Sequence, residues 1–322
     1  MVYRHEDANT LRRIGRAVAA LQILLSMLLI PAVAAATGET TSTILSGRSR
    51  IDVVVENGAF DISKPGLLDW VRSAAQSVTT YYGRFPEPHI LIRITPVPEE
   101  GIRRGVTYPW NGGLITILVG AGTTPAGFQS DWELTHEMVH LAFPSVAENH
   151  HWIEEGIATY VEPIARVRAR HFDVTEMWYE VVRDLPQGLP APGDQGLDNT
   201  HTWGRTYWGG ALFCLLADIE IHRETQNRKG LDDALRGILN AGGNITVDWD
   251  LQKALRMGDE ATGVPVLENL YEKMKDSPYD VDLDALWKEL GVARNGTTVV
   301  FDDRAPLAAT RKAITYGQNP AQ

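Results

Sequence analysis

The sequence predicts an α+β fold, with a small mixed β-sheet amino half and a mainly helical carboxyl half. Short runs rich in β-branched residues, each bounded by turn residues, fall before residue 120. From residue 131 onward, apolar residues recur at helical spacing instead. With 322 residues, 44% of them hydrophobic and 22% charged, the chain can bury a sizeable core and lies outside the composition range of disordered segments.

Residues 1–36 differ in kind from the rest. Arg4, Arg12, Arg13 and Arg16 precede an uncharged run from Ala17, AVAALQILLSMLLIPAVAAA. Pro31 interrupts it shortly before Ala32, Val33 and Ala34, a small-x-small cleavage pattern, so the segment reads as a secretory signal peptide. The run 17–36 is also just long enough to span a bilayer, which leaves an uncleaved N-terminal anchor as the alternative. Either way the chain is expected to be exported, periplasmic or secreted. Residues 37–49, TGETTSTILSGRS, are polar and Ser/Thr-rich and read as a linker, followed by one domain over 50–322.

Strands are predicted at Ile51–Val55, His89–Ile94 and Leu114–Val119. Between the first two, Pro65–Tyr82 places Leu67, Leu68, Val71, Ala75 and Val78 on one helical face. Further helices are expected at 131–143, 152–170, 173–184, 205–225, 231–240, 249–257, 264–274 and 282–290, with a late strand at Thr297–Phe301. The Pro- and Gly-rich stretch 185–196 reads as a long loop, functional or a plain surface excursion. His171 and His222 sit among charged residues and read as solvated.

The net charge of −11 and the lack of any Lys/Arg run exclude a general nucleic-acid binder. The only cysteine, Cys214, permits no intramolecular disulfide and lies in an apolar helix, where it reads as core.

The chemistry concentrates in 136–156, HEMVHLAFPSVAENHHWIEEG. On a helix, His136 and His140 project from one face and can share a tetrahedral zinc. Glu137 lies beside such a metal, placed to take a proton from its water. A third ligand is needed, and the window offers His150, His151, Glu154 and Glu155. The positions that a metzincin would fill with Gly and His hold Phe143 and Val146, which excludes that class. His150 and His151 lie in a segment expected to turn the chain between helices. WIEEGIATYVE reads as a second amphipathic helix, and a carboxylate near its start could face the first.

HEMVH followed by WIEEGIATYVE resembles the gluzincin metallopeptidases, above all the alanyl/leucyl-type and glycyl aminopeptidase families, which are peptidase MA-like. The resemblance implies a thermolysin-like zincin catalytic domain with one zinc per chain. Aligning Trp152, Gly156 and Ala158 with the family's W-x-x-E-G-x-A segment assigns the third zinc ligand to Glu155 rather than Glu154. The spacer between His140 and Glu155 is shorter than in the larger aminopeptidases, a change that a shorter interhelix loop absorbs. Tyr207–Glu224, YWGGALFCLLADIEIHRE, resembles the family's Y-x-K-G helix start, with Gly209 in place of the Lys. Tyr207 then inherits the role of donor to the oxyanion, with His201 as the alternative.

The family's acidic, glycine-rich amine-binding motif has no counterpart in RGVTYPWNGGLITILVG, so exopeptidase specificity does not carry over. Gly112 and Gly113 there either let a peptide backbone pair with an exposed edge or form a plain hairpin turn.

The implied activity is that of an exported zinc-dependent metallopeptidase that hydrolyses peptide bonds through a zinc-activated water. Its partners would be peptide or protein substrates, with no nucleic acid, and a membrane only through an uncleaved anchor. The alternative is a non-catalytic zincin-fold binding or assembly module outside the cytoplasm.

Overall fold

A computed structural model describes residues 39–317 except 57 and 59. The segment expected to be a signal peptide or anchor lies outside the described residues. Among those described, no helix is long and apolar enough to cross a membrane.

Five strands form one sheet in the order β1-β2-β3-β5-β4: β1 Thr40–Ser46, β2 Ser49–Val55, β3 His89–Val97, β4 Ile102–Tyr108 and β5 Leu114–Gly120. The β2–β3 and β3–β5 pairs are parallel and β4–β5 is antiparallel, so the sheet is mixed. Parallel pairing of β2 with β3 needs a crossover, which α1 (Lys64–Tyr82) provides. Ile51, Val53, Ile90, Ile92, Ile94, Ile115, Ile117 and Val119 are completely buried and alternate along their strands, which seats one face of the sheet on the helices.

Two strands of this sheet were not expected. β1 lies inside the stretch read as a linker, because the polarity of its Ser/Thr residues hides the β-branched character of Thr40, Thr41, Thr43 and Ile44. β4, IRRGVTY, has no continuous apolar run, because it is the edge strand and only partly buried. The β4–β5 connection is a hairpin in which Gly112 has φ 95°. A Cβ at Gly112 would lie 2.2 Å from the carbonyl oxygen of His89, so the plain hairpin reading of this glycine is the one the structure bears out.

The remainder is helical: α2 Pro125–Ser130, α3 Glu133–His140, α4 His151–Arg168, α5 Val174–Asp184, α6 Gly210–Glu224, α7 Leu231–Asn240, α8 Leu251–Thr262, α9 Val266–Met274, α10 Leu283–Leu290 and α11 Ala308–Tyr316. A small hairpin, β6 Val292–Asn295 with β7 Thr298–Phe301, lies between the last two helices. Helix α6 buries residues on every side and runs through the core. This overturns the solvated reading of His222, which is 2% exposed, with Nε2 3.4 Å from Asp218 Oδ1. Asp218 also accepts from Tyr160 Oη at 2.8 Å and from the Leu231 amide at 2.7 Å. Cys214 is buried in the same helix, and burial pushes its thiol pKa up.

Helices α4 and α6 touch backbone to backbone at two glycines. A Cβ at Gly156 would lie 2.3 Å from the carbonyl carbon of Gly210, and one at Gly210 would lie 2.1 Å from the carbonyl oxygen of Trp152. Backbone atoms cannot rotate away, so Gly156→Ala should destabilise the chain by about 1–3 kcal/mol or more in thermal unfolding. Gly122→Ala is the control. A Cβ there meets nothing nearer than 3.8 Å, so the substitution should cause no loss of stability.

Candidate metal centre

Helix α3 carries two of the candidate ligands. Asp131 caps its start, accepting from the amides of Glu133 at 3.0 Å and Leu134 at 3.2 Å, while Trp70 Nε1 donates to the same carboxylate at 2.9 Å. Leu134, Met138 and Val139 are buried and seat the helix on α1 and α4. With α3 fixed in this way, His136 and His140 meet Glu155 from the first turns of α4. Glu155 Oε2 lies 3.2 Å from His136 Nε2 and 3.7 Å from His140 Nε2. One ligand atom from each of the three falls within 4.8 Å of the others, so the group could hold a metal ion.

The electrostatics suit that use. Burial alone would raise the Glu155 carboxyl, but hydrogen bonds with His136 and His151, together with His140, hold it well below the usual carboxylate range. Burial lowers the His140 imidazole against the pull of Glu155, the direction that favours the neutral form in which imidazole binds metals. Two imidazoles and one carboxylate also make a set that leaves a fourth tetrahedral position open.

Glu137 stands beside this group. Burial raises its carboxyl above the usual range, against His140 and the Thr107 hydroxyl, and Glu155 and Glu133 add to the rise. Thr107 Oγ1 is 2.6 Å from Glu137 Oε2 and 2.8 Å from the Glu137 carbonyl oxygen, so it fixes the side chain and the helix together. Gly105 makes this approach of β4 possible, since a Cβ there would lie 2.5 Å from Glu137 Cγ. The Gly105 amide donates to Glu133 Oε1.

Tyr207 lies in a π-helical turn, Arg205–Gly209, that leads into α6. Its ring stacks on His136 with centroids 6.4 Å apart. The turn is pinned by Arg205, whose Nε lies 2.7 Å from Asp194 Oδ2 with both side chains buried. The Pro/Gly-rich loop 185–196 thus supplies an anchor for the Tyr207 turn. His201 is exposed in the loop before it.

The two histidines that compete in sequence for the third position do different work. His150 Nδ1 lies 3.0 Å from Asp198 Oδ1, and Asp198 also accepts from Trp152 Nε1 at 2.8 Å and Tyr271 Oη at 2.7 Å. His150 therefore ties the start of α4 to the loop before the π-turn. His151 opens α4. Its Nε2 is 3.0 Å from Glu155 Oε1 and its Nδ1 is 3.0 Å from Glu154 Oε2. Burial opposes the charged ring, but Glu154 and Glu155 outweigh it and carry His151 up to about 9.

His151 grips one oxygen of Glu155 while the other faces the two histidines. The i,i+4 spacing of His151 and Glu155 on a helix was the available signal for this contact. Supporting groups of this kind typically contribute 10–100-fold to metal affinity. His151→Ala should therefore weaken zinc binding by roughly that factor in a chelator competition, with the fold retained.

No family model and no curated protein matches the sequence. Solved structures do match. An aminopeptidase N family protein from Idiomarina loihiensis superposes with a TM-score of 0.62 over 79% of this chain and 49% of its own, at 12% identity. An M1 zinc metallopeptidase from Deinococcus radiodurans gives 0.50 over 76% of this chain and 53% of its own, at 13% identity. A variant of that enzyme bound to a Tyr-Ser-Ala substrate matches equally. The fold is that of the M1 gluzincin peptidases. At this identity the likeness to M1 enzymes is one of fold, and the chain spans about half the length of the solved structures it matches.

Proposed function

We propose that the chain is an exported zinc metallopeptidase in which His136, His140 and Glu155 hold the metal. The observation that carries this reading is the convergence of two imidazoles and a carboxylate within 4.8 Å, with Glu137 held beside them by Thr107. A binding module would need no buried carboxylate at 137. Export rests on the character of residues 1–36.

Zinc in such a set polarises a carbonyl and brings the pKa of a water to about 7. The chain's own groups then divide the proton work. Glu137 takes the proton of the attacking water and delivers it to the leaving amine. Tyr207 donates its phenolic hydrogen to the oxygen on which negative charge develops. Thr107 keeps the Glu137 carboxylate aimed while its proton comes and goes.

Cleavage profiling on a mixed peptide pool tests the reading. Products trimmed from one end would make it an exopeptidase, and internal cuts an endopeptidase. An uncut pool with stoichiometric zinc bound would reject it in favour of the non-catalytic module.

A further inference from the structure

Of the nine tryptophans, all within the described residues, only two are exposed: Trp132 at 52% and Trp203 at 60%. Both lie at the metal centre. The Trp132 ring meets His136 edge-on with centroids 5.5 Å apart. The Trp203 ring stacks on Tyr207 at 5.6 Å, and Tyr207 stacks on His136 at 6.4 Å. The four rings form one row of contacts with a candidate ligand inside it and an exposed indole at each end.

Neither exposed indole is explained by the fold. Trp132 occupies the N-cap position of α3, where Ser, Thr, Asp or Asn is preferred, and it makes no cap bond. Asp131 does the capping, so a small polar residue at 132 would serve the helix as well or better. Trp203 precedes the π-turn, and the turn's first amides are taken by Thr202, with Arg205 N donating to Thr202 Oγ1 at 3.3 Å and Thr206 N to Thr202 O at 2.9 Å. Leaving two large apolar surfaces in water beside a catalytic group is costly unless a ligand covers them, and such surfaces mark binding sites. The rings are rigid and lose little conformational entropy on binding, which suits them to recognition.

We infer that Trp132 and Trp203 are specificity-determining residues that take large apolar side chains, aromatic ones above all, of a peptide substrate on either side of the bond to be cut. This rests on the peptidase reading for its chemistry, but the recognition can be tested apart from it. The zinc-loaded Glu137→Gln chain is titrated calorimetrically with three hexapeptides: Ala-Ala-Phe-Phe-Ala-Ala, the Ser-Ser equivalent and the Lys-Lys equivalent. The Phe peptide should bind at least tenfold tighter than the Ser peptide. Trp203→Ala and Trp132→Ala, each added to that chain, should cut the preference to threefold or less with zinc content unchanged, and Trp203→Phe should restore it. Equal binding of Phe and Ser peptides, a preference for Lys, or a Phe preference that survives both Ala substitutions would overturn the inference. A wild-type chain that cuts none of the three while this preference stands would remove the peptidase reading and leave the aromatic recognition in place.

Discussion

Glu137→Gln should lower kcat by roughly a hundred- to ten-thousand-fold, the usual contribution of a general base, while one zinc per chain stays bound. The substitution is nearly isosteric. Thr107 can still donate to the amide oxygen at 137, so the clasp of β4 on α3 is kept. His136, His140 and Glu155 are all left unaltered. What disappears is the ability of residue 137 to accept a proton from the attacking water and return it to the leaving amine. Burial raises the pKa of this carboxyl, which makes it a stronger base than an exposed glutamate. Turnover and zinc content are measured on the same sample. Near-wild-type kcat would sink the proton-transfer role, and loss of zinc would make Glu137 a structural part of the metal set.

Glu155→Ala should lose the metal. Two imidazoles alone would remain, and zinc affinity should fall well beyond the 10–100-fold typical of supporting residues. Glu154→Ala provides the contrast. Glu154 touches His151 Nδ1 and is absent from the group of converging ligand atoms, so its removal should weaken zinc by no more than His151→Ala does. Chelator competition on both variants separates the two adjacent acids. Equal losses would mean that the helix start, rather than Glu155, is what matters. Circular dichroism on the metal-free forms checks that both fold.

Much of this was legible in the sequence because it follows from short-range spacing. HEMVH places His136 and His140 on one helix face with Glu137 beside them. The strands at 51, 89 and 114 and most helices after 131 are set by their own apolar periodicity. The parts that escaped depend on residues distant in sequence. Edge strand β4 shows little pattern because none of its residues is fully buried, yet it brings Thr107 and Gly105 to Glu137 across about 30 positions. Gly156 looks like a family motif letter until Gly210 is seen packed against it. Asp198 lies far from His150, Trp152 and Tyr271 in sequence or in element, so their shared hydrogen bonds could not be read in advance. His222 looked solvated because its sequence neighbours are charged, whereas helix α6 carries it through the core, one turn after Asp218 on the same face.

Zinc K-edge X-ray absorption on the zinc-loaded chain tests the centre most directly. Expected is a first shell with two imidazole nitrogens at about 2.0–2.1 Å and oxygen at about 2.0–2.2 Å, four-coordinate, with no sulfur. An all-oxygen shell, a single imidazole or a sulfur ligand would contradict a centre built from His136, His140 and Glu155.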